Sequence, residues 1–185
     1  VWHEGRRVFS GGTVPEETVF DVASLTKVVV TTPLLLQLRN EGRLSFDAPL
    51  RTFIPEAAAQ VSLEALLFHR SGLPAFLPFF AESMAASPTL FDAACPPSVR
   101  VAARAELFKR VAAVPIKRGP SVTAVYSDLG FILLGEVIER VLAQPLDEAF
   151  HRIIAEPLGL DAGFRRLSGS LENPEPPLLA PTGTL

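Results

Sequence analysis

Apolar positions recur at helical spacing along much of the chain. Over residues 24–39 they include Leu35 and Leu38, three residues apart on one helix face, and the run stops before Gly42. This pattern predicts a helix, and Pro33 inside it predicts a kink. The same spacing predicts a helix that begins at Ser62 and ends at 72–74, and further helices over 99–111, 129–142 and 146–154.

Strand signals are short and lie mainly near the start of the chain. Residues 1–3 and 7–9 flank a Glu-Gly-Arg turn and predict a hairpin, and residues 18–20 are a third β-prone segment. We expect loops over 44–55, irregular structure over 74–97 and an extended tail over 168–185. Helices with few strands favour an α+β class, in which a helical half leans on a partly present antiparallel sheet. Residues 1–185 are then one partial domain.

Composition excludes several classes of function. The net charge is −3, which offers no basic surface for nucleic acid, so we expect no nucleic-acid partner. The longest apolar stretch, 28–38, is too short to span a membrane. The single cysteine, Cys95, excludes an intrachain disulfide. Oligomeric state and cellular compartment are not fixed by these properties.

Candidate chemistry begins with Ser24 and Lys27. Residues three apart share a helix face, so the serine hydroxyl and the lysine amine can meet in one pocket. A desolvated lysine can help to remove the proton that makes a serine hydroxyl a poor nucleophile. The alternative is a serine that caps a helix and is followed by a surface lysine.

Tyr126 is the only tyrosine of the chain, and it lies at the entrance of another apolar helix. A phenol held beside the lysine ammonium would have a lowered pKa. The alternative is a half-buried core aromatic whose hydroxyl has an ordinary partner.

Three segments together resemble a known family. They are Phe-Asp-Val-Ala-Ser-Leu-Thr-Lys at 20–27, Leu-Leu-Phe-His-Arg-Ser-Gly-Leu-Pro at 66–74 and Tyr-Ser-Asp-Leu-Gly-Phe-Ile-Leu-Leu-Gly at 126–135. Segments 156–160 and 179–182 are also similar to family segments. The chain resembles the beta-lactamase-related serine hydrolases, which comprise class C beta-lactamases, D-Ala-D-Ala carboxypeptidases and esterases.

This resemblance implies a beta-lactamase/transpeptidase-like fold and a serine hydrolase. It implies that Ser24 is acylated, that Lys27 and Tyr126 share the general-base and general-acid duty, and that the Ser24 backbone N–H helps to bind the oxyanion. Which of the two groups is the base stays open. We expect a small-molecule ester, amide or beta-lactam substrate and no cofactor.

The chain departs from the family pattern at Asp128, which stands where the lactamases have Asn. An ionised aspartate only accepts hydrogen bonds, and its charge would favour a protonated Lys27 and repel a substrate carboxylate. This favours neutral esters or amides over penicillins. The alternative is that Asp128 simply caps the following helix.

A second departure is that no Lys-Thr-Gly or His-x-Gly strand motif follows Tyr126. We therefore expect a fragment of a longer enzyme, mainly its helical part with N-terminal antiparallel strands, from which the C-terminal strands are absent. The missing motif also leaves open a non-catalytic binding module that retains the fold. Beta-lactamase or D-Ala-D-Ala carboxypeptidase activity is the other alternative to an esterase.

The remaining candidates for chemistry are the histidines and a group of phenylalanines. His69 is interpreted as a structural residue because no triad partners accompany it, and the resemblance implies that this position ends a structural helix. His3 and His151 have no second metal ligand three or four residues later, and Glu148, three residues before His151, does not make a site alone, so we expect no metal site. Aromatic residues after Pro74 are expected either to form an acyl-binding wall at the rim of the site or to pack against a missing part of the domain. These are Phe76, Phe79 and Phe80.

Overall fold

The computed structural model describes residues 18–90, 92, 94–116 and 123–164, and the backbone of 168–169, 174–175 and 179–180. In chain order the α-helices of these ranges are α1 (Thr32–Asn40), α2 (Leu63–Leu67), α3 (Phe79–Ala86), α4 (Pro97–Ala112), α5 (Asp128–Leu142), α6 (Leu146–Phe150) and α7 (Glu156–Leu158). The strands are β1 (Val19–Phe20), β2 (Ser168–Gly169), β3 (Pro174–Glu175) and β4 (Leu179–Ala180).

The helical run that carries Ser24 changes its winding before it becomes α1. A 3₁₀ turn over Ala23–Leu25 is followed by a π-helical segment over Lys27–Thr31. The backbone N–H of Thr32 donates to the Lys27 carbonyl, as a π turn requires. Pro33 has no N–H and its ring crowds the preceding turn, and the wider winding accommodates both. The change of winding therefore lies in the turn before Pro33, and the kink expected at Pro33 itself stays a prediction.

The hydrophobic core lies where α1 and α5 meet the surrounding helices. The α5 helix packs against α2, α4 and α6 and is buried along one face. Burial of aliphatic side chains is the main favourable contribution to folding. The largest side chains that are fully buried include Leu34, Leu35, Leu38, Leu133, Leu134, Ile138 and Phe150. This core fixes the direction of α5, whose first turn borders the candidate site.

Most of the predicted helices are present, with revised bounds. The helix predicted to begin at Ser62 is α2, which the Ser62 hydroxyl caps by accepting the Ala65 N–H at 3.2 Å, but α2 ends at Leu67. It ends early because His69 has a left-handed φ of +56°. The predictions over 99–111, 129–142 and 146–154 are confirmed as α4, as α5 and as α6 with the π-helical segment His151–Ala155. The expectation of irregular structure throughout 74–97 is wrong, because α3 occupies Phe79–Ala86.

The strand pairing differs from the expected antiparallel sheet. The N-terminal strand β1 pairs in parallel with β4, with Val19 opposite Leu179. The antiparallel pair is β2 with β3, near the C-terminus, where we expected no strands. Antiparallel pairing was expected from a local hairpin, whereas parallel strands need a long crossover, here the helical part of the chain. The predicted hairpin over residues 1–9 lies outside the described residues.

Candidate active site

Ser24 lies on a tight turn that exposes its side chain. The preceding Ala23 has a left-handed φ of +44°, which is unfavourable for a residue with a Cβ. Two hydrogen bonds hold this turn: the Ala23 N–H donates to Asp21 Oδ1 at 2.7 Å, and the Thr26 hydroxyl donates to the Ala23 carbonyl at 2.6 Å. Local strain of this kind is common at functional sites, where it holds a side chain outward.

The Lys27 ammonium is surrounded by oxygen acceptors. It donates to Ser24 Oγ at 3.0 Å and lies 2.7 Å from Asp128 Oδ1. It also contacts the Tyr126 phenol, over whose ring Nζ lies 4.9 Å from the centroid. An ammonium has three N–H donors, so these three partners can satisfy it completely. Its side chain is 15% exposed.

The lysine and the tyrosine have pKa values shifted in opposite directions. Partial burial by itself lowers the pKa of Lys27, but hydrogen bonds and charge attraction from Asp128 and Tyr126 outweigh burial and raise it. Hydrogen bonds from Lys27 and Ser24 lower the pKa of the Tyr126 phenol. The site therefore favours an ammonium at Lys27 and makes a phenolate at Tyr126 more accessible.

Asp128 is the first residue of α5, and the helix cap is the preceding residue, Ser127. The alternative that Asp128 caps this helix is therefore wrong. Its carboxylate is favourable beside the positive end of the helix dipole and pairs with Lys27. Asp128 thus places a negative charge against the same ammonium that contacts Ser24.

Two aromatic side chains that the sequence did not assign to the site complete its wall. The His69 ring lies 4.6 Å from the Tyr126 ring and 5.1 Å from the Phe131 ring, centroid to centroid. Phe131 also lies under Lys27 Nζ, at 5.8 Å. Phe131 follows Asp128 by three residues, so helical spacing on α5 was the signal that could have identified it.

The site opens into a cavity of about 730 Å³. Ser24, Lys27 and Tyr126 lie on its wall together with apolar side chains such as Val28 and Leu36. Its remaining lining residues are Thr32, Arg39, Ser45, Phe46, Asp47, Glu64, Leu67, Phe68, His69 and Phe131. A concave and partly apolar site of this size suits a small-molecule ligand.

The predicted acyl-binding phenylalanines are not part of this wall in the described structure. Phe76 is exposed on the loop after Pro74 and does not line the cavity. Phe79 packs against the core, and the Arg110 guanidinium carbon lies 4.8 Å from the centroid of the Phe79 ring. The side chain of Phe80 lies outside the described part of the chain. A substrate contact by Phe76 stays a prediction.

No cluster of three or more His, Cys, Asp or Glu side chains in the described ranges could hold a metal ion. None of the described helices combines the length and the apolar character needed to cross a membrane.

A protein-family model described as Beta-lactamase matches residues 1–166, which is most of the chain. The esterase EstB of Burkholderia gladioli is 33% identical over 164 residues, covering 84% of this chain and 41% of the esterase. A putative D-alanyl-D-alanine carboxypeptidase of Escherichia coli is 28% identical over 153 residues, covering 77% of this chain and 33% of that protein. The chain thus spans less than half the length of these relatives.

The fold of the chain is similar to that of a solved structure. The penicillin-binding protein from Bacillus halodurans superimposes with a TM-score of 0.67 at 23% identity, covering 96% of this chain and 52% of that protein. At this identity the likeness concerns the fold alone. The described helices and short strands are therefore arranged as in proteins of the beta-lactamase/transpeptidase fold.

Proposed function

The chain belongs to the beta-lactamase family, and on that premise we propose that it is a serine hydrolase that forms an acyl-enzyme on Ser24. The single observation that carries this proposal is the contact among Ser24, Lys27 and the Tyr126 phenol. A nucleophile within hydrogen-bonding reach of a base, which a third group orients, is the arrangement that covalent catalysis needs.

Tyr126, rather than Lys27, acts as the base in this mechanism. Lys27 already donates a proton to the hydrogen bond with Ser24 Oγ, and Asp128 favours its charged form. A protonated amine cannot accept the serine proton. The phenol, with its lowered pKa, supplies a phenolate that can accept it. Lys27 then stabilises that phenolate by its charge.

The reaction proceeds in two balanced steps. Ser24 Oγ bonds to the substrate carbonyl carbon, its proton moves to the Tyr126 oxygen, and the carbonyl oxygen becomes an oxyanion. The oxyanion is bound by the Ser24 backbone N–H at the start of the helical run. When the intermediate collapses, the bond to the leaving group breaks and Tyr126 protonates that group. Water repeats the sequence on the acyl-enzyme, and Ser24 recovers its proton.

A neutral ester or amide suits this site best. The Asp128 carboxylate lies 2.7 Å from Lys27 and is partly exposed, so a substrate carboxylate close to the lysine would be repelled. The similarity to an esterase supports the same class. The similarity to a putative D-alanyl-D-alanine carboxypeptidase keeps a penicillin-recognising enzyme as the second candidate. A non-catalytic binding module is the third.

Steady-state hydrolysis separates these candidates. We expect the full protein to hydrolyse p-nitrophenyl esters faster than a chromogenic cephalosporin, and Ser24→Ala to lower kcat by at least about 10⁴-fold. The matched control is Ser98→Ala, an exposed serine on α4, which leaves kcat unchanged. Faster turnover of the cephalosporin supports the second candidate. Equal turnover by Ser24→Ala and the wild type overturns the proposal.

A further inference from the structure

His69 contacts the chain on both sides of Tyr126. The Val125 N–H donates to the His69 backbone carbonyl at 2.8 Å. The Ser127 N–H donates to His69 Nδ1 at 3.0 Å. The imidazole ring lies against the Tyr126 ring between these two bonds, at 4.6 Å. One residue thus holds the position before Tyr126, the position after it and the aromatic ring itself.

The conformation of His69 is unusual, which argues that its placement is specific. It follows α2 with a φ of +56°, a left-handed conformation that is unfavourable for a residue with a Cβ. Its own N–H donates to the Leu66 carbonyl at 3.1 Å, which ties the histidine to the end of α2. The histidine therefore connects Tyr126 to a helix that is anchored in the core.

The contact defines the protonation state of the ring. A backbone N–H always carries its hydrogen, so Nδ1 must be the unprotonated nitrogen of a neutral imidazole. A charged imidazole would place two donors face to face. The charged groups that face the ring are the Lys27 ammonium and the Asp128 carboxylate, and partial burial with the lysine charge lowers the pKa of His69 despite the aspartate.

Tyr126 depends on such support because its own side chain is 51% exposed. A phenol that acts on Ser24 must stay within hydrogen-bonding distance of both Ser24 and Lys27. Misplacement by about 1 Å can cost about 10²-fold in rate. The next residue is held in addition by the Ser127 hydroxyl, which donates to the Pro74 carbonyl at 2.7 Å.

We propose that His69 is a positioning residue, which holds the Tyr126 phenol against Ser24 and Lys27 by accepting the backbone N–H groups on both sides of the tyrosine. The proposal rests on the proposed function, in which the Tyr126 phenolate is the base. His69 does not touch the reacting atoms in this role.

The test compares His69→Gly with His69→Asn in the full protein. Glycine adopts a positive φ easily but removes the side-chain acceptor. Asparagine also tolerates a positive φ, and its carbonyl oxygen can replace Nδ1 as an acceptor. His151→Asn, at an exposed position away from the site, controls for the loss of a histidine. All variants are checked by thermal unfolding.

The Tyr126 phenolate is titrated as the difference in ultraviolet absorbance between each protein and the same protein that also carries Tyr126→Phe, so that any other tyrosine cancels. In His69→Gly we expect the phenol to titrate at a higher pH than in the wild type. We also expect kcat to fall about 10- to 100-fold, with KM nearly unchanged. His69→Asn is expected to restore both values to within a few-fold. A purely structural role would move the unfolding temperature but not the phenol pKa.

Three results would overturn the proposal. They are a His69→Gly variant with wild-type titration and kcat, a His69→Asn variant that is folded yet as impaired as His69→Gly, and an equal effect of His151→Asn. If His69→Gly does not fold, folded His69→Asn decides alone, because it must keep the wild-type titration. If the wild type has no turnover, the proposed function fails, while the titration still tests the placement of Tyr126.

Discussion

The residues of the helical core follow the ordinary preferences of a folded chain for burial and backbone conformation, whereas several residues in and around the Ser24 site depart from them. In the core, aliphatic side chains of α1 and α5 such as Leu34 and Ile138 are fully buried on regular helices. In the site, a partly buried lysine faces a carboxylate, and the tyrosine beside it is half exposed. Among the described residues, Ala23, His69 and Ala143 are the non-glycine residues with positive φ, and two of them adjoin the site.

This difference indicates that the core provides most of the stability and the site provides the chemistry. The core gains free energy from the burial of apolar surface, and it holds α1, α2 and α5 in a fixed arrangement. The site uses that arrangement to keep strained and charged groups together that would separate on a less rigid support. Mutations in the two regions should therefore affect different measured quantities.

The largest expected effect that separates the regions is that of Tyr126→Phe. Removal of the phenol oxygen removes the proposed base, so kcat for ester hydrolysis should fall about 10²- to 10⁴-fold. The free energy of unfolding should stay within about 0.5 kcal/mol of the wild type, because the side chain is half exposed. Steady-state kinetics and urea unfolding measure the two effects. A large loss of stability with little loss of kcat would contradict the assignment of Tyr126 to catalysis and not to stability.

Ile138→Ala should have the opposite result. Ile138 is fully buried in α5, so the cavity that remains should lower the free energy of unfolding by about 2–5 kcal/mol. Below the unfolding temperature, kcat should stay close to that of the wild type. Leu158→Ala, at a position that is 67% exposed, is the matched control and should change stability little. Loss of activity in a folded Ile138→Ala variant would show that the two regions are not separate.

Asp128→Asn sharpens the comparison within the site, because it changes charge at nearly constant shape. In the wild type, activity should rise with pH as Tyr126 deprotonates, with a pKa below its ordinary value. It should fall when Lys27 loses its proton, with a pKa above its ordinary value. Asp128 raises the pKa of both groups, so its removal should move both limbs of the pH–rate profile to lower pH.

The same variant tests the substrate class. Acylation by penicillin should rise by about 3- to 10-fold, since one partly exposed negative charge near the substrate carboxylate is removed. Asp161→Asn, an exposed aspartate after α7, is the control and should change neither the profile nor the penicillin rate. An unchanged penicillin rate in Asp128→Asn would contradict the exclusion of carboxylate substrates by this charge.

The smallest expected effect concerns the strained residue that lies outside the site. Ala143 ends α5 with a φ of +52°, where glycine is preferred, so Ala143→Gly should stabilise the protein by about 1 kcal/mol. Ala105→Gly, within α4, should destabilise it by a similar amount. Thermal unfolding measures both. Destabilisation by Ala143→Gly would show that this φ is not a source of strain.

Much of the helical structure was predictable because its signals are local. The apolar spacing of α4 and α5 and the Ser62 cap of α2 depend on residues within one or two turns. The α3 helix was missed because prolines and aromatic residues surround it, and the pairing of β1 with β4 was missed because it joins distant parts of the chain. The π-helical segment before Pro33 has no local signal of its own.

The site was predictable to a different extent for each residue. The Ser24–Lys27 contact follows from helical spacing alone. The approach of Tyr126 and Asp128 to Lys27 depends on the packing of α5, and the family resemblance was what suggested it. The hydrogen bonds of His69 involve backbone N–H groups about sixty residues away, and no pattern of side chains along the chain encodes them.

The most direct test of the central claim is covalent labelling of Ser24. The protein is incubated with a fluorophosphonate and its intact mass is measured, beside Ser24→Ala and Tyr126→Phe. The account predicts a single adduct on the wild type, none on Ser24→Ala and much slower labelling of Tyr126→Phe. An adduct of equal rate on Ser24→Ala, or no adduct on a folded wild-type protein, would contradict the claim that Ser24 is an activated nucleophile.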